Sequence, residues 1–220
     1  DVPVTGGNVS LYNETLGTPI FPTPVLGIVG TLPTGLPIGV AFPRAGLRVI
    51  VLGGLGTADA RELGGTQYAK VVQKSLWGVP PRLDMENEKR VQTAIRELVR
   101  ARLVESAHDL SKGGLAVTLA EASFGPENIG AVVALDSDLP PELLLFHEGP
   151  SRILVSTGNV DEVFRVVREN HVHAIEIGAT LKARVTISNR NEVLIDDRVD
   201  ELKGLWNGAL EHLLHNSVAV

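Results

Sequence analysis

The sequence predicts an α+β protein made of a short strand-forming region and a longer layered α/β domain. Its composition changes at Arg44, because residues 1 to 43 hold seven of the thirteen prolines and no Lys or Arg. From Gly46 onward, short apolar runs typical of strands alternate with segments of helical periodicity. Some of these strands are joined by hairpin-length links, which favours α+β layers over a doubly wound parallel sheet.

The composition excludes several classes of protein. The 220 residues suffice for one large domain, or for a complete domain carrying part of another. A net charge of −6, with only two Trp, two Tyr and five Phe, argues against a nucleic-acid partner. Cys is absent, which excludes disulfides and thiolate metal sites. The apolar runs are shorter than the ~20 residues of a membrane span, so we expect a soluble protein with no membrane partner. The absence of Cys fits a reducing compartment, and the expected location is the cytoplasm.

The first region is expected to form short strands and tight turns. Its candidates are the apolar run Pro24 to Gly30 and the edge-like run Leu36 to Phe42, both punctuated by Pro or Gly. A piece of this size with so little helix potential cannot close a core alone. We therefore expect it to pack against other polypeptide.

The second region is predicted to alternate between strands and helices. The predicted strands are 47–52, 103–107, 131–135, 152–155, 172–177, 183–187 and 192–195. The predicted helices are 67–77, one that follows Asp84, 115–124, 142–146, 160–170 and 199–215.

Two of these helices carry clear amphipathic patterns. Asp84 is a suitable N-cap, and the helix after it presents an apolar stripe of Val91, Ala94, Ile95, Leu98 and Val99. The last helix is expected to bury one side, formed by Leu202, Leu205, Trp206, Ala209, Leu210 and Leu213. The stripe of the helix after Asp84 predicts packing against a sheet.

The most unusual segment is Gly6 to Glu14. The Gly6-Gly7 pair lets a backbone approach a phosphate closely, and Asn8 and Ser10 point the same way on an extended chain. An Asn carbonyl suits Mg²⁺ and a Ser hydroxyl can donate to a substrate oxygen. Taken alone, however, such a sequence is more often a simple turn, so the residues leave both interpretations open.

Other motifs favour structural roles. Gly53 to Gly56 does not complete a dinucleotide fingerprint. In the segment His108 to Gly114, adjacent His and Asp side chains diverge, so we expect them to bond the loop and Ser111 to cap the next helix. His147 is interpreted as a loop residue, and His171 and His173 as exposed residues at the start of a strand, because neither set has a third metal ligand at a recognisable spacing.

Several long motifs, read in order, resemble one family. They are Pro3 to Thr15, Pro22 to Val25, Leu63 to Tyr68, Trp77 to Asp84, Ser106 to Ala116 and Pro150 to Val155. Together they resemble the synthetase subunit of phosphoribosylformylglycinamidine synthase, within the aminoimidazole ribonucleotide synthetase-like superfamily. One departure is His147-Glu148, where Gly-Glu is expected.

The resemblance implies a domain organisation and a set of site residues. Residues 1–43 look like the incomplete tail of a synthetase N-terminal domain, and 44–220 like a complete synthetase C-terminal domain. Carried over position by position, Gly7 binds the nucleotide, Asn8 binds Mg²⁺ and Ser10 binds the substrate. The family's catalytic residues have no counterpart in this chain.

The resemblance also implies a reaction and partners. The reaction is ATP-dependent conversion of formylglycinamide ribonucleotide to the amidine, with ATP and Mg²⁺ as cofactors. The expected partners are the N-terminal half of the same subunit, a glutaminase subunit and a small third subunit. The chain by itself is then expected to be an inactive fragment. Two alternatives stay open: another ATP-dependent enzyme of the superfamily, such as selenophosphate synthetase or thiamine-monophosphate kinase, and a non-catalytic docking module.

Overall fold

The computed structural model describes residues 3–9, 13–21, 23–31, 37–57 and 59–217. Its internal contacts divide the chain into two units, Asp1–Pro37 and Ile38–Val220. The second unit contains both helices and sheet, which confirms the predicted α+β class.

The first unit contains a small hairpin. Its strands β1 (Glu14–Thr15) and β2 (Thr18–Pro19) pair antiparallel, with Glu14 opposite Pro19. The turn between them places Leu16 at φ 51° and Gly17 at φ 78°. Two consecutive residues at positive φ are typical of the turn that matches the twist of a two-residue hairpin.

The prediction of a strand at Pro24 to Gly30 is wrong. Residues 23–31 are described without any strand pairing, and Val25, Leu26, Ile28 and Val29 are exposed. The reason is that a strand needs a neighbour to satisfy its backbone groups, and apolar sequence alone does not supply one.

The second unit carries the helices and strands that surround its core. Its strands are β3 (Arg48–Leu52), β4 (Ser106–Asp109), β5 (Ile129–Leu135), β6 (Ile153–Thr157), β7 (Ala174–Lys182), β8 (Arg184–Asn189) and β9 (Glu192–Arg198). Its helices are α1 (Gln67–Val71), α2 (Met85–Arg100), α3 (Gly114–Ser123), α4 (Pro141–Phe146), α5 (Val160–Glu169) and α6 (Val199–Ser217), with a 3₁₀ helix at Ala60–Gly65.

The strands of this unit form one seven-stranded sheet in the order β4-β6-β3-β7-β5-β8-β9. The described pairs are antiparallel except β5 with β8, which is parallel. This pattern agrees with the prediction of α+β layers rather than a parallel doubly wound sheet. Gly39, within the run expected to form an edge, makes an isolated bridge to Ser106.

The sheet has an apolar core on each face. Val49 and Val51 of β3 pack with the apolar side chains of α3, α4 and β5. Ile50 and Leu52, which point the opposite way on the same strand, pack with those of α2 and α5. The predicted stripe of α2 is confirmed, because Val91, Ala94 and Leu98 are buried in this second core.

Two predicted helices differ from the structure. The helix expected at 67–77 ends at Val71, because the chain reverses through Lys74 at φ 54° and the Trp77 amide donates to the Gly64 carbonyl at 3.1 Å. The predicted buried side of α6 is wrong beyond its first turns: Leu205 is 70% exposed, and Trp206, Leu210 and Leu213 are also exposed.

The position of α6 explains this exposure. Val199 is buried and Leu202 packs against the first core, whereas Leu205 and Trp206 line an open cavity of about 350 Å³ together with residues of α3, β8 and β9. Among the helices that the structure describes, none is both long and apolar enough to cross a bilayer.

We predict that Asp84 stabilises α2 through its cap. Its Oδ1 accepts hydrogen bonds from the amides of Glu86 and Asn87 at 3.0 and 3.1 Å, and these bonds lower the pKa of its carboxyl group. Asp84→Ala should lower the midpoint of urea denaturation, because the first turn of α2 loses its acceptor. Asp84→Asn, which keeps an acceptor, should lose much less, and equal losses for the two variants would contradict the capping role.

Candidate functional site

The sequence-predicted site residues lie in the first unit. Gly7 and Asn8 are in an exposed stretch without regular secondary structure, and no heavy atom lies within 4 Å of where a Cβ on Gly7 would be. Ser10 lies outside the described residues. The described part of the chain contains no group of three or more His, Asp or Glu side chains placed to hold a metal ion. The residues described therefore do not form a Mg²⁺ site by themselves.

A second set of polar residues collects at one edge of the sheet in the second unit. The register pairs Leu52 at the end of β3 and Asp109 at the end of β4 with Ile153 at the start of β6. Leu52 also pairs with Ala174 at the start of β7. The loops that leave β3 and β4 and enter β6 and β7 therefore meet at this edge.

A cavity of about 450 Å³ opens at this edge. Its apolar lining includes Leu83, Met85, Val91, Leu110 and Ile153, and its polar lining includes Glu88, Asp109, Ser111, Ser151 and Arg152. The Ser151 hydroxyl donates to Glu88 at 2.5 Å, and the Ser111 hydroxyl donates to Asp109. The lining residues therefore offer carboxylate and hydroxyl oxygens to a polar ligand.

The prediction that Ser111 caps α3 is wrong. The cap residue is Gly113 at φ 80°, and no side chain accepts a capping hydrogen bond there. Ser111 bonds Asp109 instead, while the Gly113 amide donates to the Glu148 carboxylate at 2.8 Å. A residue distant in sequence thus binds the backbone just before α3, where the sequence predicted a local cap.

Glu148 joins two loops through one carboxylate oxygen. Its Oε1 accepts hydrogen bonds from the Gln67 amide at 2.7 Å and from the Gly113 amide at 2.8 Å. Gln67 is the first residue of α1, where free amides favour a negative charge. Glu148 therefore fixes the start of α1 relative to the start of α3.

His147, which the sequence analysis interpreted as a loop residue, is buried with 3% exposure. Its Nδ1 accepts the Gly149 amide at 3.3 Å, so the ring proton lies on Nε2, which donates to the Glu62 carboxylate at 3.0 Å. Burial is the main cause that lowers the pKa of His147, while the hydrogen bond with Glu62 acts in the opposite direction. The ring is therefore a neutral, inaccessible connector rather than a catalytic base.

Arg152 completes this network from the start of β6. It is 4% exposed, and its guanidinium donates to three carbonyl groups, those of His147, Gly149 and Leu55. Burial lowers the pKa of Arg152 to about 10. Gly53 lies against the same segment, at φ 88° and with the Ser151 carbonyl 1.9 Å from where a Cβ would be, so only Gly fits there.

His108, His171 and His173 agree more closely with the interpretation made from the sequence. His108 Nδ1 bonds the Asp109 carbonyl at 2.8 Å, as expected for a loop contact, and its Nε2 lies 3.4 Å from Glu121 of α3. His171 and His173 are exposed immediately before β7, as predicted. Among the residues described, neither His108 with its acidic neighbours nor His171 with His173 forms a metal site.

Sequence reasoning missed Glu62, Glu148 and Arg152. These three residues do not belong to a common sequence motif, and 85 residues separate Glu62 from its partner His147. The one local signal was a run of polar residues, His147 to Arg152, between the apolar α4 and the apolar β6. A charged residue directly before a buried strand predicts a partner, but it does not identify that partner.

These features define a layered α+β domain whose loops meet at one edge of a mixed sheet. The chain belongs to the family described as AIR synthase related protein, C-terminal domain, whose pattern matches residues 44–188.

Curated relatives extend the similarity over nearly the whole chain. The chain is 40% identical over 215 residues to the phosphoribosylformylglycinamidine synthase subunit PurL of Moorella thermoacetica, covering 96% of this chain and 29% of that protein. It is 35% identical to the PurL subunit of Caldanaerobacter subterraneus, covering 96% of this chain and 28% of that protein. The chain thus spans less than a third of the length of these relatives.

Solved structures share the fold at lower identity. Thermotoga maritima PurL complexed with FGAR matches 76% of this chain and 29% of that chain, with a TM-score of 0.65 and 22% identity. The PurLQS structure from Thermotoga maritima matches 76% of this chain and 27% of that chain, with a TM-score of 0.59 and 22% identity. At 22% identity, these matches show that the chain shares the fold of these structures.

We predict that Glu148 is required for the stability of the second unit. Glu148→Ala leaves two partly buried amides without their acceptor and should lower the free energy of unfolding by about 2–3 kcal/mol in urea denaturation. Glu148→Gln keeps an acceptor oxygen and should lose less. The matched control is Glu142→Ala, an exposed residue of α4 that should change little. Equal effects at the two positions would contradict the role of Glu148.

Proposed function

We propose that this chain forms part of the synthetase subunit of a phosphoribosylformylglycinamidine synthase. The reaction proposed is the ATP-dependent conversion of formylglycinamide ribonucleotide to formylglycinamidine ribonucleotide in purine biosynthesis. The observation that carries this proposal is the 40% identity to a curated PurL subunit over 96% of this chain. The Thermotoga maritima PurL structures with FGAR and with ATP are consistent with these ligands.

The proposed site residues are Gly7 for the nucleotide, Asn8 for Mg²⁺ and Ser10 for the substrate. The exposure of Gly7 and Asn8 supports a role in contacting something outside the first unit, because an exposed Asn need not be explained by packing. Since Asn8 is a single neutral ligand, Mg²⁺ would need carboxylate or phosphate oxygens from elsewhere.

The proposed partners are the remainder of the synthetase subunit, a glutaminase subunit and a small third subunit, acting in the cytoplasm. The proposed domains are an N-terminal-type region at 1–43 and a C-terminal-type domain at 44–220. Because this chain contains no proposed catalytic residue, we expect it to be inactive by itself. The purified chain should form no product from ATP, Mg²⁺, formylglycinamide ribonucleotide and ammonium, and product formation would contradict this part of the proposal.

We predict that Asn8 and Ser10 contribute to activity within a complete subunit. The test is a chimera in which residues 1–220 replace the matching part of the Moorella thermoacetica subunit. The chimera should release ADP in a substrate- and ammonium-dependent manner. Asn8→Ala and Ser10→Ala should each lower kcat/KM by about ten- to a hundredfold, the loss expected for one contact to a charged group.

The control for this experiment is Asn191→Ala, which makes the same chemical change at an exposed turn between β8 and β9. It should leave kcat/KM unchanged. Full activity in the Asn8 and Ser10 variants would overturn the assigned roles, while an active chimera would still support the proposed reaction. A correctly folded chimera without activity would overturn the proposed reaction.

A further inference from the structure

Residues 59–79, which we name the strap, form a compact excursion between β3 and α2. The strap contains the 3₁₀ helix and α1, and it closes on itself through two hydrogen bonds, from the Trp77 amide to the Gly64 carbonyl and from the Val79 amide to the Arg61 carbonyl, both at 3.1 Å. Residues 70–79 are exposed along their whole length. Such a segment is stabilised mainly by its few contacts with the rest of the unit.

The strap contacts three consecutive residues, Phe146, His147 and Glu148. Glu62 of the 3₁₀ helix pairs with His147 at 3.0 Å, and the Gln67 amide donates to Glu148 at 2.7 Å. The Tyr68 ring stacks on Phe146 with centroids 4.8 Å apart. The apolar part of the attachment is small, and its fully buried members are Leu63 and Ala69.

On its Nδ1 side, the His147 ring is enclosed by groups that suit its neutral form. Gly149 supplies a donor to Nδ1, and Gly56 approaches the same nitrogen closely enough that a Cβ there would lie 3.3 Å away. The charged groups that act on the ring are Glu62 on the strap, Glu148 beside it and the Arg152 guanidinium, which bonds the His147 carbonyl. The glycine turn Gly53–Gly56 carries no charge.

We propose that His147 is a proton-sensitive lock that holds the strap against the sheet edge while neutral and releases the strap when protonated. Protonation of Nδ1 converts an acceptor into a donor that faces the Gly149 amide, so two N–H groups oppose each other. It also places an imidazolium near the buried Arg152 cation. Opening the strap exposes the ring to water, where the charged form is well solvated.

The direction of the pH dependence follows from linkage. Burial lowers the pKa of His147 in the closed form, so the open form binds the proton more tightly. Closure is therefore fully stable above the ordinary His pKa of about 6.5 and weakens as the pH falls below it. If the closed form stays neutral, opening becomes up to about tenfold more frequent between about pH 7.5 and pH 5.5. The pKa of Asp59, also on the strap, is about 2 because of Arg61, so its titration lies outside this window.

Amide hydrogen exchange of the whole chain tests the proposal. After correction for intrinsic exchange, the amides of residues 60–77 should exchange up to about tenfold faster at pH 5.5 than at pH 7.5, while those of β3 and β6 should not. The variant His147→Gln keeps a donor for Glu62 but has no titrating ring. In this variant, the exchange of the strap amides should no longer depend on pH after the same correction. His171→Gln, at an exposed position, is the matched control and should keep it.

Proton NMR titration of His147 provides an independent measurement. Its midpoint should lie below the value of about 6.5 for a free imidazole. Glu62→Gln should lower the midpoint further, because the pairing with Glu62 favours the protonated form. A midpoint at or above that of free imidazole would overturn the proposal, as would a strap whose corrected exchange is the same at both pH values or changes equally in His147→Gln.

Discussion

A strand buried on both faces determines the architecture of the second unit. Along β3, Val49 and Val51 point into one core and Ile50 and Leu52 into the other, so this strand needs helices on each side. The helices α3 and α4 cover one face and α2 and α5 cover the other. Strands β6 and β7, on either side of β3, complete both cores and bring their preceding loops to the edge where β3 ends.

That edge concentrates polar groups that the two cores cannot accommodate. His147, Glu148 and Arg152 connect loops that are far apart in sequence, and each uses its hydrogen-bonding capacity on backbone or carboxylate groups. In the described part of the chain, no buried side-chain polar atom lacks a partner. Such satisfied networks define one arrangement of loops, but they make that arrangement sensitive to the loss or protonation of one member.

The structure leaves apolar side chains exposed in both units. In the first unit Val25, Leu26, Ile28 and Val29 are exposed, and on α6 Leu205 and Leu210 are exposed. Their sequences contain the apolar patterns of packed elements, yet the described residues do not bury them. Apolar surface of this kind is typical of regions that contact other polypeptide. It is consistent with the similarity of this chain to less than a third of longer relatives.

The sequence by itself determined the α+β class, most of the strands and helices after Gly46, and the cap and buried stripe of α2. These features depend on local spacing and local hydrogen bonds, as Asp84 and Val91 illustrate. Gly7, Asn8 and Ser10 came from motif resemblance and stay predictions. Only the tertiary structure placed Glu62 against His147 and Glu148 against Gly113, because a buried polar side chain is stabilised by whichever partner the fold brings to it. It also decided that α6 leaves Leu205 exposed, since burial depends on a neighbouring surface as well as on an apolar stripe.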